Sequence, residues 1–351
     1  MSIELMRNVL NLKNRDRLAH TEYISCHAAV RAVTGMNPDD KDNVKREACW
    51  RVFEKAWNFD MWWITNDGPV PWKERGRVTD MGHAEFAEGG TDRRDTITCP
   101  FKSEEDIWGF DAVKEYKLPD FNGLVKYYND FYHECQDKSN ISLAPGGYYK
   151  TIVSGAIDAF GWDMLLAAAS DLKKFKKVLD SFFELSHHHF KAWAKTDIEF
   201  FINHDDMVWT SGAFMHPSFY REAIFPYYKK LWKTLHDAGK KVLYCSDGNF
   251  SEFIDDIADA GADGFIFEPT TDIDHIVEKY AKTKVIVGSK VDCRTLTFGN
   301  KEQIKHEIDE TLKIAKKCPG FVFAVGNHIP SNVPVENALY YYDYLSKNWN
   351  R

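Results

Sequence analysis

Five short stretches hold most of the side chains in this sequence that combine carboxylates, imidazoles, thiols and amides at close spacing. They are Asn203-His204-Asp205-Asp206, Cys245-Ser246-Asp247-Gly248-Asn249, Glu268-Pro269, Lys290-Val291-Asp292-Cys293-Arg294 and Gly326-Asn327-His328-Ile329-Pro330. Each follows a short apolar run. If those runs are parallel strands of one barrel, the groups after them meet around one axis, where acid, base and metal-ligand roles all become available. Taken singly, each has a plainer explanation: an Asp after a strand is often the next helix's N-cap, and a lone His is often a buried hydrogen-bonder. The agreement of five carries the expectation. Asp206, Asp247, Asp292 and His328 are the expected catalytic groups, with Asn249 and Asn327 beside them as substrate contacts.

The elements that must position these groups alternate along the second half of the chain. Strands are expected at Ile198 to Ile202, Lys241 to Tyr244, Gly264 to Phe267, Val285 to Val287 and Phe321 to Val325, all apolar and rich in β-branched or aromatic residues. Helical periodicity fills the gaps at Pro217 to Ala238, Ser251 to Ala260, Asp272 to Lys282, Lys301 to Lys316 and Val335 to Ser346. Gly239 and Gly261 sit where helices end, and Pro217 and Pro334 where helices begin. Earlier, Phe59 to Thr65 and Tyr149 to Val153 read as strands, with helices at Trp162 to Ala169 and Leu172 to Ala194. That is seven strands, one short of an eight-fold βα repeat. The expected fold is an α/β protein with a single (β/α)8 TIM-type barrel over residues 1–351, a helical N-terminal region at 1–56 and a loop-rich insertion at 66–148. The insertion, dense in Gly, Pro, Asp and Arg between Pro69 and Lys117, is expected to cover the active site.

Composition narrows the function. At 351 residues, with 44% hydrophobic and 28% charged, the chain is an ordinary cored protein, long enough for one barrel or two smaller domains. Lys+Arg 45 against Asp+Glu 53 gives a net charge of −8, the wrong sign for neutralising nucleic-acid phosphates. No apolar run reaches membrane-spanning length, and Met1 to Arg17 is amphipathic and charged, unlike a secretion signal. A cytoplasmic location without membrane partners is expected. Seven widely spaced cysteines without a Cys-x-x-Cys pair read as buried thiols. The 15% aromatic content concentrates in segments such as Met61-Trp62-Trp63-Ile64. Core packing accounts for most of it, and a pocket for a flat apolar ligand, with Trp63 as a contact, is the other reading. His187-His188-His189 point ~100° apart on a helix and read as a solvated face. His83, flanked by Arg75, Arg77, Arg93 and Arg94, is a further contact within the cover, for the substrate or for a partner protein, or a residue that only pairs with nearby acids. No phosphate-binding glycine loop and no nucleophile elbow is present.

The stretch from Asp205-Asp206 through Ser218-Phe219-Tyr220, Pro226-Tyr227, Cys245 to Asn249, Glu268-Pro269, Val291 to Leu296 with Gly299, and Gly326 to Pro330 with Val333-Pro334 and Glu336-Asn337 resembles the uroporphyrinogen decarboxylase superfamily. The resemblance covers roughly the C-terminal half; Leu5 to Arg17 and Thr34-Gly35 fit its N-terminal helices loosely. It implies a single (β/α)8 barrel, in agreement with the alternation above. It implies one of two chemistries. True uroporphyrinogen decarboxylases carry an arginine-rich N-terminal signature, Arg-Gln-Ala-Gly-Arg, where this chain reads Glu22-Tyr23-Ile24-Ser25-Cys26-His27. A substrate rich in carboxylates needs cations, and a net charge of −8 with no clustered arginines at that place makes a poor host.

The other branch, the corrinoid-dependent methyltransferases, includes the methyltransferase components of O-demethylases, and the chain resembles it more. Its thiol-methylating members hold zinc through His-x-Cys-Gly-Asn and a later Gly-Cys, matched here by Cys245-Ser246-Asp247-Gly248-Asn249 and Gly326-Asn327. Cys245, Asp247, Glu268 and His328 remain as a mixed S/O/N set for zinc; the other reading is a metal-free polar site. The corrinoid-binding signature Asp-x-His-x-x-Gly is absent, so the resemblance implies cobalamin carried by a separate corrinoid protein. The expected activity is transfer of a methyl group from a small methylated substrate, an aryl methyl ether, to that cobalt. The alternatives are a uroporphyrinogen-type decarboxylase and a non-catalytic barrel that binds a tetrapyrrole or another small ligand.

Overall fold

The structure, a computed structural model, describes residues 2–13, 15–69, 85–86, 92–93, 101–139 and 141–351. His83, Arg75, Arg77 and Arg94 lie outside the described residues, and so does most of the expected cover.

Seven parallel strands form one sheet: β1 Ala19–His20, β2 Gly146–Tyr148, β3 Phe200–His204, β4 Lys241–Ser246, β5 Gly264–Phe267, β6 Val285–Gly288 and β7 Phe321–Phe323. Their spatial order is β1-β7-β6-β5-β4-β3-β2. Between the edges β1 and β2 runs an extended segment, residues 60–66. Asp60 N donates to His20 O at 2.8 Å, while Leu143 N donates to Asp60 O at 2.9 Å. Trp62 N then donates to Leu143 O at 3.1 Å and Asn66 N to Gly147 O at 3.0 Å. This segment carries hydrogen bonds to both edges where a regular eighth strand would lie.

Alternation along the strands sorts the core into two layers. Phe200, Ile202, Leu243, Ile266, Val287 and Val322 point to the interior, joined by Met61 of the extended segment. Phe201, Val242, Phe265 and Ile286 point outward under the helices. Helix Ser2–Leu10 inserts Leu5, Met6, Val9 and Leu10 into the interior cluster. Leu12 packs on Gly320 just before β7, which places this plug at the N-terminal ends of the strands and leaves the C-terminal ends for chemistry. No helix among the described residues is long and apolar enough to cross a membrane.

Four expectations shift. The strand expected at Tyr149 to Val153 is Gly146–Tyr148, and Val153 instead opens helix Val153–Phe160. Two glycines begin that strand because a Cβ on Gly147 would stand 2.8 Å from Ile64 O. Phe59 to Thr65 supplies the irregular segment, whereas β1, only two residues long, has too little periodicity to stand out. The expected helix Pro217 to Ala238 is broken at Ile224 into Pro217–Ala223 and Phe225–His236, since Pro226 lacks the N–H that a continuous helix needs. Within the expected loop-rich stretch 66–148, the described part forms helices Glu104–Trp108, Ala112–Tyr116 and Phe121–Lys138. The last buries Leu124, Tyr128, Tyr132 and Cys135 at helical spacing, a stripe hidden by its tyrosines and charges.

The join between the sheet edges rests on one buried carboxylate. Asp60 accepts two hydrogen bonds from Arg17, at 2.7 and 2.9 Å, and one from His20 N at 2.9 Å. Asp60→Ala leaves the guanidinium and a buried N–H unpaired, so a loss of about 3 kcal/mol is expected in denaturant unfolding. A loss below ~1 kcal/mol would mean that the edges are held by other contacts.

Candidate functional site

β3 ends in His204, and the next residue turns away from the barrel axis. The buried Asp205 carboxylate accepts hydrogen bonds from Ile152 N (3.1 Å), Val153 N (3.2 Å), Ser154 N (2.6 Å) and Tyr228 OH (2.7 Å). It thereby ties the first turn of helix Val153–Phe160 to the end of β3. Ser154 Oγ in return accepts from Asp206 N at 2.7 Å, which aims Asp206 back into the mouth.

There Asp206 meets three partners. Its Oδ1 lies 3.0 Å from His204 Nε2 and accepts from Asp247 N at 2.8 Å, while Oδ2 accepts from Tyr149 OH at 2.9 Å. The Tyr149 ring lies over His204 with centroids 4.2 Å apart. Pairing of β3 with β4 sets His204 opposite Cys245. The ligand-type atoms of His204, Asp206 and Asp247 all fall within 4.8 Å of one another. An N/O/O set of this kind suits a borderline or hard divalent cation.

A second group adjoins the first. Glu268 accepts from Gly248 N at 2.7 Å and from Asn327 Nδ2 at 2.6 Å, and Asn327 Oδ1 bonds His328 Nδ1. Backbone closeness makes this possible. A Cβ on Gly326 would stand 2.0 Å from Pro269 Cδ, so only glycine lets the β7 loop approach the β5 loop. Gly248, at φ +80°, packs against Trp209 O, where a Cβ would come within 2.7 Å; the hairpin of Val208–Trp209 with Gly212–Ala213 is thereby fastened to the Asp247 loop. Asn327 itself is left-handed at φ +68°, a conformation that asparagine tolerates better than most residues.

The charges are unevenly matched. Burial opposes an imidazolium at His204, but Cys245 and Asp206 carry its pKa well above the ordinary value. Burial also pushes the Cys245 thiol up, so at neutral pH the sulfur is uncharged and the Asp206 carboxylate is the operative partner. Against the cost of burial, His204 holds Asp206 below the ordinary range. Asp247 is raised well above it by burial and by the carboxylates of Asp206 and Glu268. Glu268 is raised mainly by burial. The mouth therefore presents an ion pair, His204 with Asp206, next to a carboxyl, Asp247, whose ionisation is opposed by burial and by its carboxylate neighbours.

Not every expected residue joins this centre. Asp206, Asp247, Glu268, Asn327 and His328 do. Asp292 instead caps helix Cys293–Phe298 through a 2.7 Å bond from Arg294 N. Asn249 accepts from Ser251 N and Oγ at 3.0 and 2.6 Å, holding the turn that follows. The structure does not gather the expected metal set of Cys245, Asp247, Glu268 and His328 into one cluster: Glu268 and His328 bond Asn327, and Cys245, in the interior layer, lies beside His204. The donors that lie nearest Asp247 are His204 and Asp206. Trp63 stands by the mouth, edge-on to Tyr23 with centroids 6.4 Å apart, and Tyr23 in turn meets His328 at 6.3 Å. His204 and Tyr149 were missed as site residues. The available signal was strand length: two more residues on β3 put His204 at its end.

The histidine triplet also departs from expectation. His189 is fully buried, its Nδ1 2.6 Å from Tyr128 OH and its pKa lowered by burial to about 3, while His187 and His188 bond Thr234 and Pro119. Six cysteines are buried and free, as expected; Cys99 lies outside the described residues.

Because a histidine with a raised pKa stays charged as pH climbs past its ordinary titration, ¹⁵N NMR of His204 is expected to show both ring nitrogens protonated at pH 7.5. Asp206→Asn removes the charge that holds the proton, and burial then drives the ring to its neutral form. A neutral His204 in the parent protein would contradict the ion pair.

A sequence profile described as "Uroporphyrinogen decarboxylase (URO-D)" matches residues 157–347, more than half of the chain. Uroporphyrinogen decarboxylase from Carboxydothermus hydrogenoformans is 28% identical over 126 residues, covering 36% of this chain and 35% of that protein. The one from Pseudoalteromonas atlantica is 29% identical over 146 residues, covering 39% of each. The matched part thus spans well under half the length of these curated relatives. Among solved structures, a methyltransferase from Methanosarcina mazei superposes with a TM-score of 0.66 at 16% identity, covering 99% of this chain and 98% of that one, which shows a shared fold. The profile match and the order of strand-end motifs lead to one conclusion: the chain belongs to the uroporphyrinogen decarboxylase family.

Proposed function

We propose that this protein is a methyltransferase of that family, moving a methyl group from an aryl methyl ether to the cobalt of a separate corrinoid protein. The observation that carries the reading is the charge balance at the mouth: Asp206, Asp247 and Glu268 meet one imidazolium, His204. The imidazolium is already paired with Asp206 and Asp247 resists ionising, so these groups offer the several carboxylates of a porphyrinogen no free cation, whereas a neutral ether needs none. Trp63 and Tyr23, in ring contact with each other and next to His328, offer rings for an aromatic substrate to pack against.

Cleaving an aryl ether places negative charge on the departing oxygen. Asp247, held as a carboxylic acid by burial and its carboxylate neighbours, is positioned to give that oxygen its proton as the C–O bond breaks. The products are then a phenol and a methyl group on the acceptor, with Asp247 reprotonated from solvent. Asp206 and His204 orient Asp247 through its backbone N–H, and Asn327 braces it from the far side. The partner's corrinoid, when bound, supplies the nucleophilic cobalt. With the protons of His204 and Asp247 displaced, His204, Asp206 and Asp247 would instead hold a divalent cation such as zinc, which would polarise the same ether oxygen as a Lewis acid. The names of the curated relatives favour a second reading, decarboxylation of uroporphyrinogen.

One assay separates the two. Purified protein, a reduced corrinoid protein and a methoxybenzene are expected to yield the phenol and the methylated corrinoid, whereas uroporphyrinogen yields no carbon dioxide. Asp247→Ala and His328→Ala are each expected to lower kcat by roughly 10²-fold while thermal unfolding changes little. Decarboxylation without methyl transfer would establish the second reading. Parent-like turnover of the ether by both variants would remove Asp247 from the mechanism.

A further inference from the structure

Trp62 and Trp63 are neighbours in the extended segment between β1 and β2, so their side chains leave it on opposite sides. Trp63 packs against the interior cluster. Trp62 packs against the outer one and lines a cavity of about 260 Å³ between helices Asn43–Ala56 and Phe121–Lys138. Trp50 and Phe131 supply the other aromatic walls.

The inner end of this cavity holds two under-satisfied polar atoms. Glu54, only 7% exposed, has no well-formed hydrogen bond at Oε2, and Trp62 has none at Nε1; the two groups lie close enough to interact, and that contact leaves each short of a full partner. Burial pushes the Glu54 carboxyl up to about 7, partly offset by the nearby Trp62 and Ser139. Buried polar groups of this kind are rare unless something outside the chain satisfies them. The outer end is cationic. Lys138 is spent on Glu47 and Glu134, but Arg46 donates only to Asp40 O and to Asn43 Oδ1, both neutral. Among the described residues, neither Arg46 nor the exposed Arg51 forms an ion pair with a carboxylate.

We propose that this cavity is a binding site, separate from the barrel mouth, for a small aromatic carboxylic acid that carries a ring oxygen. The ring packs among Trp50, Trp62 and Phe131; the ring oxygen takes the Trp62 N–H and faces Glu54; the carboxylate sits at Arg46 and Arg51. The volume suits a single ring and excludes a tetrapyrrole. Trp62 and Trp63 share one backbone segment, so an occupant here bears directly on the position of an aromatic residue at the mouth.

The test is calorimetric titration with 4-hydroxybenzoate, followed in parallel by tryptophan fluorescence. Saturable binding by about 5 mM is expected, weakened at least about tenfold in Arg51→Ala and lost in Trp62→Leu. Asp247→Ala, at the mouth, is expected to bind the probe within about twofold of the parent. Arg51 is exposed, so its variant keeps the fold and is expected to retain methyl transfer, which separates this site from the proposed activity. Absence of binding at about 5 mM would overturn the proposal. Binding that falls in Asp247→Ala and Trp63→Leu but persists in Arg51→Ala would place the probe in the mouth and overturn it equally.

Discussion

One buried carboxylate organises the mouth of this barrel. Asp205 sits where β3 gives way to its loop, and burying an ionised carboxyl is costly unless it is fully hydrogen-bonded. Three consecutive backbone N–H groups at 152–154 and the Tyr228 hydroxyl provide those bonds. Because the donors belong to the first turn of the following helix on β2, the arrangement fixes the relative position of two adjacent βα units. Ser154 then holds the backbone of Asp206, and Tyr149, four residues before Val153, reaches the Asp206 side chain. Two neighbouring aspartates thus have opposite fates: the first holds the scaffold together, and the second faces the substrate space.

From that anchor the electrostatics of the centre follow. Asp206, placed next to His204, stays ionised and keeps the imidazole charged; placed next to Asp247, it raises the cost of a second negative charge. The same carboxylate therefore stabilises a cation on one side and a neutral acid on the other, a division that a barrel achieves by bringing successive strand ends within a few ångströms. Gly248 and Gly326 contribute through the side chains they lack, allowing the β4, β5 and β7 loops to close on one another.

The segment between β1 and β2 shows a comparable economy. It carries too few regular hydrogen bonds to be a strand, yet its alternation still directs Met61 and Trp63 inward and Trp62 outward. Asp60 at its start ties it to Arg17 and β1. One short stretch of chain thereby contributes to the interior layer, to the mouth and to the outer cavity.

The C-terminal half was largely legible in the sequence because each parallel strand is buried on both faces and so reads as an unbroken apolar run, with helices of clear periodicity between. The stretches after those strands, and hence Asp206, Asp247, Glu268, Asn327 and His328, could be named from order alone. The N-terminal half was less legible: β1 has two residues, β2 begins with two glycines, and helix Phe121–Lys138 sets its buried stripe among charged and polar residues. The sequence by itself determined which chemical groups stand at the strand ends. Only the tertiary structure decided which of them meet. It paired Asp247 with His204 and Asp206 instead of with His328, and turned Asp292 to capping a helix and Asn249 to holding a turn. The reason is physical: contacts across a barrel mouth depend on strand stagger and on a register in which one residue reverses the facing of every side chain, and neither is encoded in spacing along a single strand.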